Sequence, residues 1–173
     1  MTVLRVLGID PGTRVAGYGI VDADRRGILP VACGAWELGK DLELFMRLGK
    51  LSLELDRIFR HYAPTHLCLE EAFVAKNMRS ALLIGHARGV VMARAHEHGV
   101  VFVGMSPTQA KSRVTGSGAA SKHDMALSVT KLLGIQTETK LPFDATDALG
   151  LAYACAQDLR LVLREKSFAQ KCS

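Results

Sequence analysis

No stretch of this chain is both long enough and free enough of charge to span a bilayer. The N-terminus lacks the basic-then-apolar pattern of a secretory signal, because Asp10 and Pro11 interrupt its first apolar run. Four cysteines, at 33, 68, 155 and 172, form no CxxC pair, and none has a histidine at zinc-site spacing. The six histidines make no metal motif; His96 and His98 are two apart on a predicted helix and face different ways. Internal repeats, low-complexity tracts and linkers are also missing. These absences argue against a membrane protein, a disulfide scaffold, a zinc module and a repeat array. They leave a soluble, cytoplasmic protein in which Cys68 and Cys155, both in apolar segments, are reduced and buried.

Acidic residues are scarce in one region. Between Ala72 and His123 stand seven lysines and arginines (Lys76, Arg79, Arg88, Arg94, Lys111, Arg113 and Lys122) and one acid, Glu97. The remainder, with 15 basic and 16 acidic residues, is near neutral, so the net charge of +5 resides in the middle. A basic middle that follows an acidic strand end suits a polyanion laid against a metal site. Charge alone supports nucleic acid and an ordinary solvated basic surface about equally.

What the chain does contain is a core. Its 173 residues, 49% hydrophobic, suit one α/β domain over residues 1–173, with a tail from about residue 166 expected to be disordered. Val3–Ile9 reads as a buried strand, Pro11-Gly12-Thr13-Arg14 as a turn, and Ala16–Val21 and Leu29–Leu38 as two more strands of an antiparallel meander. Gly17 and Gly19 keep one side of the second strand slim. Leu44, Leu48, Leu51, Leu55, Ile58 and Phe59 recur at helical steps, predicting a helix over Leu42–His61 that Pro64 stops. A strand over His66–Glu70, a helix over Asn77–His98 and a strand over Val100–Val103 follow. Ser106-Pro107 fits an N-cap with proline at the first helical position. Helices over Thr108–Val114, Ser121–Leu133 and Asp144–Glu165 complete the reading.

Against this background four carboxylates stand where a charge is costly. Asp10 and Glu70 end apolar strands; Asp144 and Asp147 open an apolar helix. An acid in a first helical turn is also simply favoured by the helix dipole. Four acids at converging element ends weigh against that ordinary explanation. At a spacing of three residues Asp144 and Asp147 share one helical face. Such a set of hard oxygen ligands suits Mg²⁺ or Mn²⁺, and two such ions can activate water and stabilise a leaving oxygen in phosphodiester hydrolysis.

Gly8-Ile9-Asp10-Pro11-Gly12-Thr13-Arg14 with Gly17-Tyr18-Gly19, Leu69-Glu70-Glu71-Ala72-Phe73-Val74-Ala75-Lys76-Asn77 with Ser80-Ala81-Leu82, Gly85 and Ala87-Arg88-Gly89, and Asp144-Ala145-Thr146-Asp147-Ala148-Leu149 together resemble the RuvC family of crossover (Holliday) junction endodeoxyribonucleases. These belong to the ribonuclease H-like superfamily. The resemblance implies an α/β fold with a mixed five-stranded sheet, a three-strand antiparallel meander plus two parallel strands, flanked by helices. It implies symmetric, divalent-metal-dependent nicking of two strands of a four-way junction during recombination and repair.

The family's catalytic acids map onto Asp10, Glu70, Asp144 and Asp147, which the resemblance implies to be ligands of two Mg²⁺ or Mn²⁺ ions; its active-site lysines map onto Lys111 and Lys122. Phe73 matches an aromatic that engages unpaired bases. Arg14, Lys76, Asn77, Arg79, Lys111, Arg113 and Lys122 are the candidate DNA contacts. Glu71 should point away along its strand. A homodimer through the helix carrying Gly85 and Gly89 is implied too, as are a junction-binding protein and a branch-migration helicase motor as partners. Packing of those glycines on the protein's own sheet is the alternative.

Three rivals share some of these residues. The first motif also resembles the phosphate loop of actin-like ATPases, but the chain is too short for two such domains. Another ribonuclease H-like nuclease, cutting hybrids or ribosomal RNA, is disfavoured by the second and third motifs. A non-enzymatic junction binder is disfavoured by the presence of all four acids.

Overall fold

The computed structural model describes residues 3–71, 78–136 and 140–169, with side chains through residue 163. The elements follow the order β1 (Leu4–Asp10), β2 (Val15–Ala23), β3 (Ile28–Glu37), α1 (Leu44–Tyr62), β4 (His66–Glu70), α2 (Met78–Glu97), β5 (Val101–Met105), α3 (Pro107–Thr115), α4 (Lys122–Leu132) and α5 (Phe143–Ala169). One sheet of order β3-β2-β1-β4-β5 holds all the strands. The β1–β2 and β2–β3 pairs are antiparallel, and β1–β4 and β4–β5 parallel, which is the mixed sheet expected.

Strand alternation sorts the interior into two layers. Val6, Cys68 and Val21 face α3, α4 and α5, where Val114, Met125, Val129, Leu149 and Ala152 meet them. Leu7, Ile9, Ile20, Leu67 and Leu69 face α1 and α2, where Leu51, Leu55, Phe59, Ala87 and Val91 close the other side. Cys68 and Cys155 are buried, as expected, and form no disulfide.

Local chemistry accounts for the helix ends. Helix α1 stops at Ala63, which takes the left-handed conformation (φ 46°) and caps Phe59 with its N–H, and Pro64 then forbids another turn. A capping box of Ser106 and Gln109, with Pro107 at the first position, starts α3. Ser121 and Asp124 form a second box at α4: the Asp124 N–H donates to Ser121 Oγ (3.1 Å), and the Ser121 N–H to Asp124 Oδ2 (3.0 Å). The last helix runs through Ala169, four residues past the predicted end, and residues 170–173 lie outside the described set.

The contact that positions everything else is α5 on the sheet. A Cβ built at Gly17 would come within 1.9 Å of the Asp144 carbonyl oxygen. At Gly8 it would meet the Ala148 carbonyl oxygen at 2.2 Å, and at Gly19 the Leu149 nitrogen at 2.5 Å. Backbone therefore lies on backbone, with Ala145, Ala148 and Ala152 as the small residues on the helix side. Gly17 and Gly19 thus do keep one face slim, and Gly8 joins them. Gly19→Ala should unfold with a loss of about 1–3 kcal/mol or more, since the helix must lift. Gly49→Ala in α1, where an added Cβ meets nothing within 4 Å, should gain about 0.5–1 kcal/mol. Denaturant unfolding of the two variants beside the parent checks both signs.

Candidate active site

Parity along the strands decides which side chains meet. Asp10 lies an even number of residues from Val6 and Gly8, so it faces α5, and Glu70 shares the face of Cys68. Ile9 pairs with Leu69 in the parallel ladder, which places Asp10 and Glu70 side by side at adjacent strand ends. The glycine seat beneath Asp144 brings the first turn of α5 over them. Thr146, 2% exposed, closes that turn by donating from Oγ1 to the Phe143 carbonyl (3.0 Å), while its N–H reaches the Pro142 carbonyl (3.1 Å). Asp144 and Asp147, both partly buried, then complete the acidic group.

A cleft opens here, lined by Asp10, Glu70 and Asp147 on one side and by Lys111 of α3 and Lys122 of α4 on the other. Lys122 Nζ stands 3.0 Å from Asp147 Oδ2. This pairing, with Asp10 and Asp144 also nearby, raises the Lys122 ammonium above its usual range. Burial pushes Asp10 up to about 6, and the Asp147, Asp144 and Glu70 charges add to the rise. Glu70 is raised too, by burial first and then by Asp147, against the opposing pull of Lys122, Arg88 and Lys111.

Four carboxylates that repel one another at a cleft fit a divalent cation in charge and in donor type, since all are hard oxygen ligands. Among the described residues no three acids, histidines or cysteines are drawn close enough to hold one ion as they stand. Lys122 acts as the counter-charge in this arrangement.

The remaining candidates are dispersed. Arg14 is exposed on the turn after β1, and Arg79 is exposed in the first turn of α2. Arg113 lies two residues past Lys111, on another side of α3, and its Nε forms an ion pair with Asp158 of α5 at 2.8 Å. Phe73, Lys76 and Asn77 lie outside the described residues. Glu71 turns to the opposite face of the sheet, near Gly104, as strand alternation requires. His123 is exposed beside Lys122. One residue at the site was missed: Arg88 of α2, which donates from Nη1 to the Glu70 carbonyl. Its sequence signal was faint, a single arginine 18 residues from Glu70 within Ala87-Arg88-Gly89.

Residues 6–155 match the family model described as crossover junction endodeoxyribonuclease RuvC. The chain is 41% identical over 149 residues to the crossover junction endodeoxyribonuclease RuvC of Chlorobaculum parvum, covering 86% of this chain and 79% of that one. With the protein of the same name from Hyphomonas neptunium it shares 37% identity, over 94% of this chain and 96% of the relative. Among solved structures, Thermus thermophilus RuvC in complex with a Holliday junction substrate superposes with a TM-score of 0.83 at 27% identity, covering 91% of this chain and 96% of that one.

The raised Asp10 sets a pH dependence. Its folded value, about 6, lies above the ordinary 3.8, so the folded protein holds this proton more firmly than the unfolded chain. That contribution is full below about pH 4 and is lost as pH rises through 6, a difference of about 3 kcal/mol. In chelator, Asp10→Asn should therefore be more stable than the parent by up to about 3 kcal/mol at pH 7, with the advantage gone by pH 4. Denaturant titrations at the two pH values measure it.

Proposed function

The chain belongs to the RuvC family of crossover junction endodeoxyribonucleases, and from that membership we propose that it resolves four-way DNA junctions by metal-dependent nicking of two symmetry-related strands, in homologous recombination and repair. The observation that carries this reading is the cleft itself: acids from β1, β4 and α5 converge opposite two lysines from α3 and α4. Nucleases of this family depend on divalent metal. We read two Mg²⁺ or Mn²⁺ ions per site, with Asp10 and Glu70 holding one side and Asp144 and Asp147 the other. When bound, such ions supply an activated water and charge stabilisation for the departing 3′ oxygen.

The chain's own groups do the rest. Asp10, desolvated and crowded by like charge, would be held as a carboxylate by a bound cation. Lys122 releases Asp147 and, with Lys111, sets positive charge beside the scissile phosphate, where negative charge grows in the transition state. Arg14, Arg79 and Arg113 are assigned to phosphates farther along the strands, Arg113 by exchanging Asp158 for phosphate. Phe73 is assigned to an unpaired base at the junction, with Lys76 and Asn77 on nearby phosphates.

A homodimer suits this substrate, because a two-fold axis presents two sites to two equivalent strands. Helix α2 supports it. A Cβ added at Gly85 or Gly89 would meet nothing within 4 Å, so among the described residues no close backbone approach accounts for the two glycines. Met78 (81% exposed), Leu82 (60%) and Met92 (44%) lie on the same helix. The partners would be junction DNA, a second copy, and by family likeness a junction-binding protein with its branch-migration helicase motor. No described helix is long and apolar enough to cross a membrane, and a cytoplasmic location in a single ribonuclease H-like domain is the reading we adopt.

The test is cleavage of a synthetic four-way junction beside matched linear duplex and RNA–DNA hybrid, with Mg²⁺, Mn²⁺ or chelator. Symmetric nicks confined to the junction, metal-dependent and reduced at least 1000-fold in Asp10→Asn, are expected on the order of an essential metal ligand's loss. Junction binding without cleavage under either metal overturns the catalytic reading. For the dimer, Gly89→Glu adds bulk and charge on an open face. Sedimentation should shift from dimer to monomer while the melting transition holds within roughly 5 °C; a variant that remains dimeric removes α2 from the interface.

A further inference from the structure

Arg88 approaches the acidic cluster from the far side of the sheet. Its helix packs on the α1 face through Ala87, Val91 and Ala95, all buried, whereas the Glu70 side chain points to the α5 face. The link between them is the strand backbone. Ile9 with Leu69 is the last β1–β4 pair, so Glu70 lies one residue beyond the end of that ladder. Its carbonyl there receives the Arg88 Nη1 donor. Past Glu71, whose N–H donates to the Met105 carbonyl at 2.7 Å, the chain leaves the sheet. Arg88 also lines a second cleft, which shares Asp10 and Glu70 with the first and adds Pro11 and Glu71.

We propose that Arg88 is a positioning residue, which fixes the Glu70 peptide from behind and so orients the Glu70 carboxylate towards the divalent metal. The inference rests on the reading of Glu70 as a metal ligand. Three considerations support it. Glu70 is paired with Met105 of β5 on one side but has no β1 partner on the other, and a donor on its carbonyl engages a main-chain group that the β1–β4 ladder leaves unpaired. A charge-assisted bond from a guanidinium is stronger than one from a neutral donor. Groups that orient a ligand without touching the metal commonly matter for affinity as much as a weak ligand does. The helix itself does not need Arg88 for its seat, because Ala87, Val91, Ala95 and the Asp56–Arg94 ion pair hold α2 in place. The Arg88→Met variant keeps the apolar stem and removes the donor; Arg88→Lys keeps the charge and one donor.

Three measurements on full-length parent, Arg88→Met and Arg88→Lys decide the matter: Mn²⁺ affinity without DNA by electron paramagnetic resonance, junction affinity in chelator, and kcat and KM for junction cleavage. Arg88→Met is expected to lose roughly 10- to 100-fold in Mn²⁺ affinity and in kcat, the range seen when a ligand's supporting partner is removed. Junction affinity in chelator and KM should stay within about twofold, because the DNA-facing lysines are untouched, and Arg88→Lys should recover most of the loss. Unchanged Mn²⁺ binding in Arg88→Met overturns the proposal. So does weakened junction binding in chelator, which would make Arg88 a phosphate contact. Failure of Arg88→Lys to recover Mn²⁺ affinity overturns it too. A parent protein that binds no Mn²⁺ defeats instead the metal reading on which the proposal stands.

Discussion

Everything at the active site depends on how closely one helix can approach one sheet. Helices packed through ordinary side chains stand well clear of a strand. Here three glycines on β1 and β2 remove that layer, and α5 rests its first turns on bare backbone. Asp144 and Asp147 are thereby lowered to the level of Asp10 and Glu70. The spacing is set by the radii of main-chain atoms, which have no rotamers to adjust. Alanines at 145, 148 and 152 complete the seat from the helix side.

The energetic character of the cluster follows from that proximity. Folding forces together four groups that repel, and partly removes the water that would screen them. Asp10 answers by holding its proton far above the ordinary carboxylate range. Lys122 answers by bridging to Asp147 from the first position of α4, a helix start fixed by the Ser121–Asp124 capping box. The cluster thus carries an electrostatic cost in isolation, which Lys122 offsets in part. A local rule broken in this way is common where a sequence serves function before stability.

Much of this was legible in the residues. Strands β1 to β4 and the helix around Leu51 and Leu55 carry clean periodicity, and their limits differ from the sequence reading by a few residues at most. The acids were conspicuous because each interrupts an apolar run. What could not be read was the third dimension of α2 and α3. The open surroundings of Gly85 and Gly89 depend on which face of α2 meets the sheet, and small residues on both faces blur that pattern. The pairing of Arg113 with Asp158 was likewise unreadable, because it depends on two residues of helical rotation past Lys111 and on where α5 packs. Arg88 was hidden for a related reason, since a bond to a main-chain carbonyl leaves no complementary residue type in the sequence.

The division of the interior into two separately packed layers has a consequence for how such a chain can diverge. Leu51, Leu55 and Phe59 pack on the side of the sheet away from the acids, so the direct contacts changed by substituting them lie in that layer. Arg88 crosses this division, since it is rooted in one layer and bonded to the strand end that serves the other. Drift along α2 would therefore reach the acidic cluster through that side chain, a place where the two halves of the molecule are constrained to change together.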